Sequence, residues 1–135
     1  MKIDSVELTT CSVAADGETM ELGLVDRAGT AVCLRLPFEQ AEAIVMTLPT
    51  LLADALKRRT GKKEARYVFG LGEWSIEDCT EHGWFIVTLK TTDGFAVSFA
   101  IPFEACQALG WTLKRDADEA IEAQERESSR PRALQ

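Results

Sequence analysis

The sequence predicts an α+β fold built by tandem duplication of a β-β-β-α unit. Three observations predict it: a gapless internal repeat, strand-period alternation before each copy of Pro-Phe-Glu, and a helix-period apolar stripe after it. The expected arrangement is one mostly antiparallel six-stranded sheet, free to curve strongly, with two helices packed on it and a pseudo-two-fold axis relating the halves. Residues 1–127 form this single domain from two repeats, about 1–62 and 66–127, and 128–135 read as a disordered tail.

The repeat emerges when the chain is slid against itself by 65 residues. Residues 20–48 then lie on residues 85–113 without a gap, and ten of the 29 positions are identical. Chance would match about two. The identities include Leu24/Leu89, Gly29/Gly94, Pro37/Pro102, Phe38/Phe103, Glu39/Glu104 and Leu48/Leu113. Several other positions exchange one apolar residue for another, as in Met20/Phe85, Leu22/Val87 and Leu36/Ile101. The first strands align more weakly, with Val6 on Leu71. Two copies suggest a closed pair, because one such unit is too small to bury its own apolar face.

Each unit opens with a strand: Val6, Leu8, Thr10 and Ser12 in the first, Tyr67, Phe69 and Leu71 in the second. In the second, Trp74 and Ile76 take the opposite parity. A switch around Gly70 and Gly72 predicts a β-bulge. Next come two alternating strands joined by a hairpin. Phe85, Val87 and Leu89 lead into Thr92-Asp93-Gly94, and Val97, Phe99 and Ile101 return. The first unit repeats this with Met20, Leu22 and Leu24, then Ala28-Gly29, then Val32, Leu34 and Leu36.

Pro-Phe-Glu marks the passage from strand to helix. Proline is tolerated in the first helical turn, where its missing N–H has no partner, and the glutamate sits near the positive end of the helix dipole. Phe38 and Phe103 are placed to pin each helix to its sheet. The first helix carries apolar residues at 38, 41, 45, 48, 52 and 55, a spacing that marks one buried stripe. Pro49 is expected to kink or break it into 38–47 and 50–60, with Gly61 as the stop. The second helix has Lys114 where the first has Pro49, and continues to about Arg126 with Phe103, Cys106, Leu109, Leu113, Ala117 and Ile121 on one face.

Composition narrows function without naming it. The net charge is −7, and a net anion is repelled by nucleic acid and by anionic membranes unless a local basic patch overrides the field. No stretch approaches the roughly 20 apolar residues of a membrane span. The N-terminus lacks a signal-peptide core, so the expected setting is the cytoplasm, where Cys11, Cys33, Cys79 and Cys106 stay reduced. Cys33 and Cys106 sit in apolar patterns and read as small hydrophobes.

Candidate chemistry is sparse. His82 is the only histidine and lies in Asp78-Cys79-Thr80-Glu81-His82-Gly83, where four potential ligands fall within five residues. The preferred reading is a polar hairpin tip, because structural zinc sites combine two separated ligand pairs. Cysteine–histidine catalysis through Cys79 has no further support, and no carboxylate pair stands out as acid and base. Gly70-Leu71-Gly72 lacks both the third glycine of a dinucleotide motif and a P-loop lysine. No catalytic residue, metal or cofactor is therefore expected.

The candidate interaction surface consists of Lys57, Arg58, Arg59, Lys62, Lys63 and Arg66, with Trp74 and Trp84 as candidate anchors. The cations have a plain reading, a helix end complementing its dipole and then a solvated linker. Their competing reading is a phosphate or RNA contact. In order of elements, tandem strand-rich repeats closed by a helix, the chain resembles PUR-type single-strand-binding domains, whose units have one additional strand. The expected function is a non-enzymatic protein-binding or adaptor module acting as a homodimer and engaging an unidentified protein partner, with no membrane contact. The alternative is a nucleic-acid-binding module using residues 57–66.

Overall fold

The duplication is visible in the hydrogen-bonded ladder. The structure, a computed structural model, describes residues 1–131 of the 135. The elements run β1 (Ser5–Val13), β2 (Thr19–Asp26), β3 (Ala31–Pro37), α1 (Phe38–Thr60), β4 (Leu71–Cys79), β5 (Trp84–Thr91), β6 (Ala96–Pro102) and α2 (Phe103–Ser128), with a 3₁₀ turn at Thr80–His82. The chain divides into two compact units, Met1–Val68 and the residues from Phe69 onward. Each contains one antiparallel three-stranded sheet, in the orders β1-β2-β3 and β4-β5-β6, packed with one helix. The six expected strands are thus present, distributed three and three. Tight hairpins complete each ladder within its own repeat.

The two ladders share one register. Thr19 pairs with Pro37, Met20 with Leu36 and Leu22 with Leu34. Adding 65 to each number reproduces the second unit, where Trp84 pairs with Pro102, Phe85 with Ile101 and Val87 with Phe99. The junctions match as well: the Phe38 N–H donates to the Glu18 carbonyl at 2.9 Å, and the Phe103 N–H to that of Gly83 at 3.4 Å.

Cross-strand pairing collects the apolar residues on one face of each sheet. In the first unit Leu8, Cys11 and Val13 of β1 stand opposite Leu24, Leu22 and Met20, which in turn face Val32, Leu34 and Leu36. In the second, Trp74 and Ile76 stand opposite Leu89 and Val87, themselves opposite Val97 and Phe99. On the other face of the first sheet Arg35 stands opposite Glu21 and donates to it at 2.6 Å. That pairing raises the Arg35 pKa through the hydrogen bond and charge of Glu21.

Several local expectations need correction. The bulge predicted around Gly70 and Gly72 is present as a register shift between Leu71 and Glu73. However, β4 begins only at Leu71, and Tyr67 and Phe69 precede it. Phe69 sets its ring 5.3 Å from that of Phe95 instead. The expected match of Val6 with Leu71 is displaced by one: Ser5 and Leu71 are the equivalents, since they pair with Asp26 and Thr91. The cause is a second irregularity in β1, between Leu8 and Thr10, that β4 lacks. This extra residue, Thr9, stacks hydroxyls over Gly23, where a Cβ would lie 2.8 Å from Thr9 Oγ1 and closer still to Thr10 Oγ1. The second unit has no such crowding, and its equivalent residue, Thr88, meets Ser98 hydroxyl to hydroxyl at 2.8 Å.

The helix α1 is continuous through Pro49, not split into 38–47 and 50–60. Proline removes one hydrogen bond from the ladder, and an exposed helix can hydrate the freed carbonyl. Cys33 is exposed and pairs with Gly23 on the face of Arg35 and Glu21, so the apolar pattern around it belongs to its neighbours in the strand. All four cysteines are free thiols. Ser128 closes α2, which moves the start of the expected tail, and 132–135 lie outside the described residues.

Candidate interaction surface

The helices meet their sheets chiefly through their first turns. Leu36 and Ala41 are the two buried hydrophobic residues among those described, at 8% and 7% exposure. Phe103 lays its ring 4.9 Å from Phe85, as the pinning role predicts, whereas its counterpart Phe38 is 48% exposed. Beyond these turns the expected buried stripe is uncovered. Val45, Leu48 and Leu52 of α1 and Leu109, Leu113 and Ile121 of α2 are all exposed. A helix of 23 residues is about 35 Å long, more than a narrow three-stranded sheet covers.

The sheets are also incompletely covered. On the apolar face of the first, Leu8, Val13 and Leu34 are exposed; on that of the second, Trp74, Ile76, Leu89 and Phe99 are. The total accessible surface is 11976 Å². An ordinary monomer of 14.9 kDa exposes about 7,000 Å². Even two independent globules of half that mass would expose only about 8,500 Å² together.

The predicted anchors separate. Trp74 is 66% exposed and stands on the apolar face opposite Leu89. Trp84 pairs with Pro102 and Cys79 on the other face, where its ring stacks on His82 at 5.3 Å. The two tryptophans therefore cannot form one anchor pair. Trp111, the third tryptophan, is exposed and holds the Arg115 guanidinium over its ring at 4.9 Å.

The basic residues sit at the end of α1. Lys57, Arg58 and Arg59 occupy its last turn. Gly61, at φ 69°, caps it by donating to the Lys57 carbonyl at 2.8 Å, and Lys62, Lys63 and Arg66 follow. Among the described residues none of these six side chains joins an ion pair. On α2, by contrast, Lys114 pairs with Asp118 at 2.6 Å and Arg126 with Glu122 at 3.2 Å. The Lys114 pKa is raised by the Asp118 hydrogen bond and charge.

The Asp78–His82 stretch forms a turn. Asp78 Oδ1 accepts the Thr80 N–H at 2.9 Å, and Gly83 closes the turn at φ 79°. Among the described residues no three His, Cys, Asp or Glu side chains gather in a cluster that could hold a metal ion. No described helix is long and apolar enough to cross a membrane. Against family models, curated proteins and solved structures alike, the chain finds no match.

Proposed function

We propose that the chain is a non-enzymatic protein-binding or adaptor module that works as a homodimer. The observation that carries this reading is the set of large apolar side chains left exposed on both sheet faces and both helical stripes. Both an open apolar sheet face and an open apolar helical stripe belong to the same chain. A second copy therefore supplies the complement to each, and symmetric dimers are the commonest oligomers. The expectations of a single domain, a pseudo-two-fold relation and one six-stranded sheet belong to this proposal. Edge-to-edge strand pairing is the general route from two sheets of three to one sheet of six. Four free thiols favour a reducing, cytoplasmic setting.

Light scattering at micromolar concentration tests the dimer, with twice the 14.9 kDa chain mass expected. A strict monomer would end this reading. Charging the stripe by Leu48→Glu and Leu113→Glu should shift the dimer to monomer, since both side chains are exposed in the single chain.

A second reading, nucleic-acid binding through residues 57–66, is favoured by the absence of ion pairs at its six cations. It predicts salt-sensitive retention on oligonucleotides that weakens when Lys57, Arg58, Lys62 and Lys63 become glutamine. No retention at low salt would remove it.

A further inference from the structure

We infer that the basic segment 57–66 of one copy receives the acidic second half of α2 from another copy, so that two equivalent charge contacts fix the dimer. This rests on the dimeric reading above.

The two segments mirror each other. Residues 57–66 hold six cations and one acid, Glu64, while residues 116–127 hold six acids and one cation, Arg126. The basic segment follows the apolar stripe of α1 and the acidic one overlaps the end of the stripe of α2, on helices of 23 and 26 residues. The 65-residue offset places Leu48 on Leu113 and Leu56 on Ile121 in the stripe, then Lys57 on Glu122 and Lys62 on Glu127 at the ends. Helices laid side by side in one direction therefore match stripe with stripe and set Lys57 and Lys62 against Glu122 and Glu127, while Arg58, Arg59, Lys63 and Arg66 fall on uncharged positions.

Both ends also have unspent charge. The six cations have no ion pair among the described residues, and neither do Glu119, Glu125 or Glu127. Carboxylates in the last turns of a helix oppose its dipole, so α2 gains from cations brought by another chain. A two-fold axis makes the contact reciprocal, each copy contributing one basic and one acidic segment. Nucleic acid on the basic segment would leave the acidic one unanswered and would approach a chain of net charge −7.

A charge exchange tests this. One variant carries K57E, R58E, K62E and K63E; the other carries E119K, E122K, E125K and E127K. Alone, each should dimerise about a hundredfold more weakly, because like charges then face each other. An equimolar mixture should restore a dimer of one variant with the other, measured by light scattering, with circular dichroism confirming that each is folded. Two folded variants that dimerise as the unaltered chain does, or that fail to recover on mixing, overturn the inference and leave the dimer standing. An unaltered chain that is monomeric removes the dimer itself. Loss of oligonucleotide binding in the first variant with dimerisation intact also overturns the inference and supports the nucleic-acid reading. Should either variant fail to fold, salt titration of the unaltered protein decides. Dissociation should rise as the screening length falls from about 10 Å at 0.1 M to about 3 Å at 1 M, and a salt-independent dimer sinks the inference.

Discussion

The two repeats reach the same backbone by different side chains. In the first hairpin the Asp26 carboxylate accepts the N–H groups of Ala28 at 2.9 Å and Thr30 at 2.8 Å. At the equivalent position of the second, the Thr91 hydroxyl accepts the Phe95 N–H at 3.0 Å and donates to Asp93. Both turns close on a glycine of positive φ, Gly29 at 79° and Gly94 at 98°. In the central strand Gly23 makes room for two threonine hydroxyls, whereas Thr88, without that bulge, bonds Ser98. The comparison teaches that register and turn geometry outlast the residues that first specified them. The helix ends have diverged furthest, one to cations and the other to acids.

The largest test exchanges the helix interiors. Lys114→Pro places in α2 what α1 already contains, and should cost about 3 kcal/mol in urea unfolding. Pro49→Ala should raise stability by up to a similar amount. If both changes leave stability unaltered, the continuity of α1 through Pro49 has some cause other than a tolerated missing bond.

A smaller effect separates the shared bulge. At Gly72 a Cβ would lie 3.0 Å from the Thr92 backbone nitrogen, and backbone cannot rotate away. Gly72→Val should cost about 1–3 kcal/mol. At the corresponding bulge of the first unit the chain already carries Val6, and Val6→Gly should cost no more than about 1 kcal/mol. Equal costs at the two bulges would mean that the second hairpin does not press on Gly72.

The smallest effect is acid dependence. The Asp93 pKa lies below its ordinary value, first because the Thr91 hydroxyl donates to it and then through backbone N–H groups. Its stabilisation is therefore present above the ordinary carboxylate value of about 3.9 and is lost as pH falls through the lower folded value. Asp93→Asn should flatten the acid limb of the melting temperature against pH. The first unit has Ala28 at this position and offers no counterpart. An acid limb unchanged in the variant would show that Asp93 is not its source.

Much of each unit was legible because its causes are local. Alternation at Phe85, Val87 and Leu89, glycine at 29 and 94, and Pro-Phe-Glu each specify structure within a few residues. The bulge at Gly72 left a trace as a parity switch. That between Leu8 and Thr10 left none, because Thr9 and Thr10 are ordinary strand residues. The basic segment could be read as charge. The separation of Trp74 from Trp84 could not, since it depends on how β4 and β5 are paired.

Periodicity and turn chemistry by themselves determined that this chain is two β-β-β-α repeats with one apolar face on every element. Tertiary structure decided how little of that face a single unit covers, where the second bulge falls and that α1 runs through Pro49. The physical reason is range. Alternation and turn propensity act between neighbours along the chain, whereas burial is settled by segments far apart in sequence or on another molecule.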